Sequence, residues 1–409
     1  MAGEENIFRE ERIVKYLLLN KDIVIAEFEL DTVFDTVTIV EQYVELPDWF
    51  GNLDNFIINR RAPKQRENIE ELLRLSGCDT MQGFLDISHA LSLVDTFWVK
   101  RADSDLCWKK VSLYTHPFNE VIARTAFEGG LHGRQLSTTS PEYGTDGSFA
   151  KCWIREGGRI RMLKRGSSGA RNAGLEPYSE FYAGQLIGAF TDEFVTYDLR
   201  THNGRICSVC DLFTSEDYGF LPYAAVDPRN SSIKAVLRKM QEFGLEEKIK
   251  RMFVIDAVIL NEDRHKNNFG FIVDNRTQEI VGMAPLFDHN VALLPYAEEG
   301  EFEYGGDYLR QKGPRIGDDW IRTAAMCLDA KTRKVLIQLS DFRFERHNKY
   351  NLPDWRLGAL EELIHTDKMG QCEIRICGKN GELRWIALKI RLFYYQGRNP
   401  YFLVSSWDI

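Results

Sequence analysis

No stretch of this sequence approaches the roughly 20 consecutive apolar residues needed to cross a bilayer, and no internal repeat or low-complexity tract is present. The opening residues Met1-Ala2-Gly3-Glu4-Glu5 carry no basic stretch followed by an apolar block. A cytoplasmic protein without a membrane partner is therefore expected. An excess of cations is also missing: 52 Lys and Arg stand against 61 Asp and Glu, a formal charge of −9. That balance argues against direct nucleic-acid binding, which needs a cationic surface, but leaves room for one local cationic groove. Cysteines in ligand-like spacing are scarce. Of eight, only Cys207-Ser208-Val209-Cys210 has it, with Cys372 and Cys377 a poor second half. Buried thiols of a reducing compartment are expected, with zinc as the alternative.

What is present is a large apolar fraction. Of 409 residues 44% are hydrophobic and 12% aromatic, enough for two or three packed units and incompatible with a disordered chain. Tyr16–Leu19 and Ile23–Phe28 read as a hairpin around Asn20-Lys21-Asp22. A helix is expected over Glu67–Ser76, with Ile69, Leu72 and Leu73 on one face and Gly77 at its C-cap. The Gly/Ser/Thr segment Ser137–Ser148 precedes a hairpin, Phe149–Arg155 and Arg159–Lys164, turning at Glu156-Gly157-Gly158. Pro177 opens a helix whose apolar face is Phe181, Tyr182, Leu186 and Phe190. Strand-like segments follow at Phe194–Tyr197 and Arg205–Val209.

From about residue 230 the pattern turns helical. Leu245–Leu260 is amphipathic in its first half and apolar all round in its second, which directs its end into a core. Eight polar residues follow: Asn261-Glu262-Asp263-Arg264-His265-Lys266-Asn267-Asn268. Next come Phe269–Val273, a turn over Asp274–Gln278, and Glu279–Met283 leading to Phe287-Asp288-His289. A hairpin brings its open ends together, so Asn268 should lie near Pro285–Asp288. The helix end and the hairpin end then gather Asp263, Asn268 and Asp288, hard oxygen donors that suit magnesium. Phosphoryl transfer uses such a set: Asn268 and Asp288 for the metal, Asp263 as the base that takes the proton of the attacking hydroxyl. The five-position step from Asp263 to Asn268 matches the kinase catalytic loop. The alternative is a solvated connector whose Asp and Asn merely favour turns.

Upstream residues agree with the first reading. Gly144-Thr145-Asp146-Gly147-Ser148 sits where a phosphate-covering loop would, although most glycine-rich segments are plain turns. Lys164, near a strand end, either snorkels to solvent or pairs with an anionic ligand and a carboxylate, and Glu180 on the next helix could be that carboxylate.

In this order of elements, and most specifically in Asn261–Asn268, the sequence from about Lys15 to Ile364 resembles the HipA-like serine/threonine kinases, including the CtkA-type members. The resemblance implies an α+β, protein-kinase-like two-lobed fold using ATP and magnesium. An α/β subdomain (1–125) would precede a β-rich N-lobe with one helix (126–213) and a mainly helical C-lobe (214–364). By position, Asp263 matches the catalytic base and Asn268 and Asp288 the magnesium ligands. Lys164 and Glu180 match the phosphate-contacting lysine and its helical partner. Gly144, Gly147 and Ser148 fall in the glycine loop, and Val209, Asp211 and Phe213 in the adenine-reading hinge. The resemblance also suggests that His265 props the catalytic loop, with a simple surface histidine as the alternative. Phe287-Asp288-His289 lacks the Gly of the usual kinase triplet. In relatives a loop serine is autophosphorylated, which marks Ser148, with Thr145 and Ser140 behind it. The tail, 365–409, is strand-rich with a hairpin signal at Asn380-Gly381, and it resembles the last strands of a PAS domain; with only about half such a domain present, a small antiparallel sheet packed on the kinase core is the expected form. The implied function is a protein Ser/Thr kinase, the toxin or regulatory member of a bacterial system, with a hydroxyl-bearing protein substrate and an antitoxin-like inhibitor as partners. A lipid or small-molecule kinase and a non-catalytic nucleotide-binding scaffold are the alternatives.

Overall fold

Period-two alternation accounts for the first strands. Tyr16, Leu18, Ala26, Phe28 and Leu30 are wholly buried, while Lys15 pairs with Glu27 and Glu29 on the opposite face. The computed structural model describes residues 12–130, 132–133, 137–169, 172–302, 308 and 311–365, and the backbone of three strands between 369 and 408. Within these the protein is mixed α/β with antiparallel sheets. The strands are β1 (Ile13–Asn20), β2 (Ile23–Asp31), β3 (Thr36–Gln42), β4 (Phe97–Arg101), β5 (Lys151–Glu156) and β6 (Arg159–Arg165). They continue as β7 (Asp198–His202), β8 (Arg205–Asp211), β9 (Tyr218–Pro222), β10 (Gly270–Asp274), β11 (Ile280–Met283), β12 (Met369–Cys377), β13 (Leu383–Phe393) and β14 (Tyr401–Asp408).

Contacts divide the chain into two units. The first holds the described residues up to Gly166 with Val209–Pro228 and Gly270–Ala284; the second holds Ser167–Ser208, Arg229–Phe269 and the chain from Pro285 on.

In the first unit a sheet of order β3-β2-β1-β4 shares one core with the helices Ile69–Ser76 and Met81–Ser88. The β1–β2 hairpin turns at Lys21, in the left-handed region at φ 49°. Ile69, Leu72, Leu73 and Ser76 are buried at helical spacing, and Gly77 ends that helix at φ 83°, a conformation glycine adopts freely. The helix begins at Ile69 rather than Glu67, because Asn68 before it is left-handed at φ 66°. A second sheet has the order β11-β10-β9. It is tied to the first by Asn20 Nδ2, which donates to Asn275 O at 2.6 Å.

The second unit is mainly helical. Ser232, Asp319 and Asp329 each cap a helix by accepting a backbone N–H from the first turn, as short polar side chains at that position do. Pro177 lies in the first turn of Glu176–Gly188. Tyr182 and Leu186 are buried there and Phe190 just beyond, but Phe181 is only half-buried. Burial extends to Ser179, Glu180, Ala183 and Ile187, wider than one stripe. Phe194–Tyr197 does not form the expected strand. It makes a single parallel bridge, Phe194 to Leu286, and regular pairing starts at Asp198. The tail is a three-stranded antiparallel sheet, β12-β13-β14; its Asn380-Gly381 turn lies outside the described residues, though Cys377 and Leu383 pair across it.

Cys78, Cys152, Cys207, Cys210 and Cys327 are buried and outside any disulfide, and Cys107 is half-buried. Cys207 and Cys210 are three apart on β8, which puts them on opposite faces of the strand rather than side by side. Burial raises the thiols, to about 11 for Cys78 and about 12 for Cys207 and Cys327. Reactivity requires thiolate, so native protein at pH 8 should be alkylated at Cys107 before these three, which are modified only on unfolding. Peptide mapping after a short iodoacetamide pulse checks the order; early labelling of Cys207 would show that β8 opens.

Candidate active site

The helix Glu246–Val258 buries every residue from Met252 to Val258, one of which, Asp256, is an acid. A carboxylate there is costly unless it is paired and hydrogen-bonded. Its partners come from the polar run that follows. Asn261 Nδ2 donates to Asp256 Oδ1 at 3.1 Å, and Arg264 forms a two-pronged ion pair, Nε to Oδ2 at 2.9 Å and Nη2 to Oδ1 at 3.0 Å. Arg264 is 1% exposed. Its remaining donors reach three further groups: Nη1 to Asn268 O and to Phe287 O, both at 2.7 Å, and Nη2 to His289 Nδ1 at 3.1 Å. All five N–H groups of the guanidinium are therefore used. One side chain ties the helix end, the Asp263–Asn268 loop and the Phe287–His289 segment together.

Asp263 stands at the rim of this knot, its side chain 29% exposed. Its backbone is fixed: N–H to Asn261 Oδ1 at 3.1 Å, and its carbonyl accepts from His265 N at 2.7 Å and Asn268 Nδ2 at 3.1 Å. The last bond orients the Asn268 amide with its nitrogen toward the loop. Oδ1, the atom a divalent cation would take, is not spent on it. Asp288 is left-handed at φ 59°, tolerable for Asp. It is held there by its N–H to the Tyr197 hydroxyl at 3.0 Å and by the Val195–Leu286 and Leu286–Glu193 backbone bonds. Among the described residues no group of three His, Cys, Asp or Glu side chains could cage a metal. Magnesium does not require one, since it usually takes one or two protein ligands and completes its shell from phosphates and water. Asn268 and Asp288 fit that pattern.

Of the two readings open for His265, prop or surface histidine, the second fits, and Arg264 carries the prop. His265 is a local partner whose Nδ1 accepts from Asn267 N at 3.2 Å, with Nε2 at 3.9 Å from Asp263. Asp256, Arg264, Tyr197 and His289 were missed as supports. A lone acid inside an apolar helix, eight residues before an arginine, was the available signal.

The remaining residues of the expected site lie as follows. Glu180, in the second unit, is wholly buried and accepts a bond from Ser208 Oγ. Gly144, Gly147, Ser148, Lys164, Val209, Asp211 and Phe213 belong to the first unit. The glycine loop there is pinned: buried Arg66 donates to Glu142 O at 2.8 Å and Thr145 O at 2.7 Å, and Glu67 N donates to Ser148 O at 3.0 Å. Burial lowers Arg66 to about 10, which still leaves it charged at neutral pH. A side chain on Gly144 would meet Leu91 O at 2.9 Å, and Gly147 needs its φ of 96°. Lys164 is 4% exposed and sits opposite Lys151, itself 6% exposed, on the β5–β6 ladder. Lys151, not noticed in the sequence, puts a second buried cation on that face, and its Nζ donates to Asp146 O at 2.7 Å. Val209 is half-buried in β8 and Phe213 meets Phe220 edge-on at 5.7 Å. Asp211 is held by Arg159 and Arg161 of β6. Partial burial works the other way, but the two arginines keep its carboxyl below the usual range.

The chain is similar to a serine/threonine-protein kinase. It is 25% identical over 137 residues to CtkA of Helicobacter pylori, a match covering 30% of this chain and 42% of that protein. Less than half of that relative's length is thus spanned. Among solved structures, the crystal structure of the Helicobacter pylori proinflammatory kinase CtkA aligns at a TM-score of 0.40 and 17% identity, covering 52% of this chain and 88% of that one. HipA in the Shewanella oneidensis toxin–antitoxin complex with HipB and operator DNA aligns at 0.46 and 12%, covering 86% and 96%. No protein-family model matches the chain. Among the described residues no helix is long and apolar enough to cross a membrane.

Proposed function

We propose that this protein is an ATP- and magnesium-dependent protein serine/threonine kinase of the HipA type with a two-lobed, kinase-like core. The observation that carries the reading is the Arg264 knot, which fixes a carboxylate-bearing loop, an asparagine and a second aspartate at one place. The sequence similarity to a kinase points the same way. In this reading Asp263 orients the acceptor hydroxyl and takes its proton as that oxygen bonds to the terminal phosphorus and the bond to the leaving diphosphate breaks. Asn268 and Asp288 would hold magnesium, whose contribution there is to offset charge on the nucleotide phosphates. Lys164, with Lys151 beside it, would meet the phosphates under the Gly144–Ser148 loop. Val209–Phe213 would read adenine through backbone groups, and Glu180 would orient the lysine.

The domain boundaries at 125, 213 and 364, a PAS-like origin for the tail, a cytoplasmic location and an antitoxin-like partner belong to the same proposal. So does autophosphorylation. Ser148 is exposed, whereas Ser140 is buried on Glu142, and Thr145 Oγ1 donates to Pro141 O and accepts from Trp153. Incubation with γ-labelled ATP and magnesium tests the whole. Label in protein, at Ser148 or on an added substrate, is expected. Label confined to a metabolite or lipid pool would make the protein a different kinase, and tight ATP binding without any transfer would make it a scaffold.

A further inference from the structure

Arg315, in the segment between Asp288 and the helix Trp320–Cys327, has its Nε 2.9 Å from Asp263 Oδ1. It thus sits on the carboxylate assigned to the acceptor proton. Its neighbour Lys312 donates to Glu262 Oε2 at 2.9 Å and stacks over Tyr308. Lys312 and Arg315 therefore lie on the two acids that begin the catalytic loop. They are held differently. The Lys312 pair is mostly buried, at 22% and 17% exposure, whereas the Arg315 side chain is 62% exposed.

The backbone under Arg315 is anchored. Ile316 is 3% exposed, and Gly317, at φ 106°, fits so closely that a side chain on it would meet Thr323 Oγ1 at 2.2 Å. The segment itself cannot drift from the loop without unpacking, so movement falls to the Arg315 side chain. An acceptor hydroxyl cannot reach Asp263 Oδ1 while the guanidinium occupies it. Once displaced, that guanidinium remains beside the acceptor with its counter-charge taken away.

We propose that Arg315 is a specificity residue, a side-chain gate over Asp263 that is lifted by a carboxylate flanking the acceptor hydroxyl, so that preferred substrates carry Asp or Glu beside the phosphorylated Ser or Thr. This rests on the kinase reading and names its substrate class. An exposed ion pair resists displacement only weakly, by a factor of up to about five. A charge-assisted hydrogen bond to a substrate carboxylate yields about tenfold or more. The acidic acceptor therefore wins and the neutral one is hindered but not excluded.

The test uses a serine peptide series with Glu, Gln or Lys beside the acceptor, assayed with wild type, Arg315→Ala and Arg315→Lys. Wild type should favour Glu over Gln by about tenfold in kcat/KM, through KM. Arg315→Ala should erase that preference and raise kcat/KM for the Gln peptide up to about fivefold, and Arg315→Lys should restore part of the preference. A preference for Glu that survives Arg315→Ala, or a uniform fall in kcat on every peptide, overturns the gate alone. No label in any protein or peptide, with wild type included, overturns the kinase reading and the gate with it.

Discussion

Asp263→Ala will leave a folded protein that transfers phosphate about 10²- to 10⁴-fold more slowly, the range that a positioned general base supplies. The fold should survive because this side chain is partly exposed and its ion-pair partners, Arg315 and His265, are exposed side chains. The loop is held instead by backbone groups and by Arg264. Asp288→Asn is the companion. It keeps shape and removes one charge, so activity should fall while the magnesium concentration for half-maximal rate rises. Initial rates over a magnesium titration, with circular dichroism melts as the folding control, separate the two roles. Full activity in Asp263→Ala would remove it from the chemistry, and an unchanged magnesium requirement in Asp288→Asn would remove that residue from the metal site.

Arg264→Leu carries the largest expected effect on stability. Removing one partner of a buried ion pair strands the other, at a cost of about 3–5 kcal/mol. Here Asp256, two carbonyls and His289 Nδ1 would all lose a donor. The denaturant midpoint of the second unit should drop sharply. The double variant Asp256→Leu/Arg264→Leu should recover part of that loss, because no uncompensated charge is left, while phosphotransfer stays lost because nothing ties Asn268 to Phe287. A double variant with normal turnover would reduce Arg264 to a purely structural part.

Much of the local structure was legible in the sequence. The β1–β2 hairpin, the Ile69–Ser76 helix with Gly77 at its end, the Gly157-Gly158 turn and the β10–β11 hairpin all announced themselves by period and turn chemistry. The hairpin also foretold that Asn268 and the Phe287–Asp288 segment would meet, because antiparallel pairing brings its ends together whatever lies beyond them. Phe194–Tyr197 misled. Its apolar residues serve a single bridge and a hydroxyl that caps Asp288 N, and period cannot distinguish those uses from a strand.

Sequence by itself determined most of the local strands and helices, though not Phe194–Tyr197, and it placed Asn268 and the Phe287–Asp288 segment at the two ends of one hairpin. Those are local matters of period, capping and turn residues. Tertiary structure alone decided that Arg264 rather than His265 holds the loop, that Lys151 lies opposite Lys164, and that Arg315 rests on Asp263. The reason is physical. A buried polar group takes whichever partner the packed core leaves within about 3 Å, and that partner sits at no fixed interval along the chain.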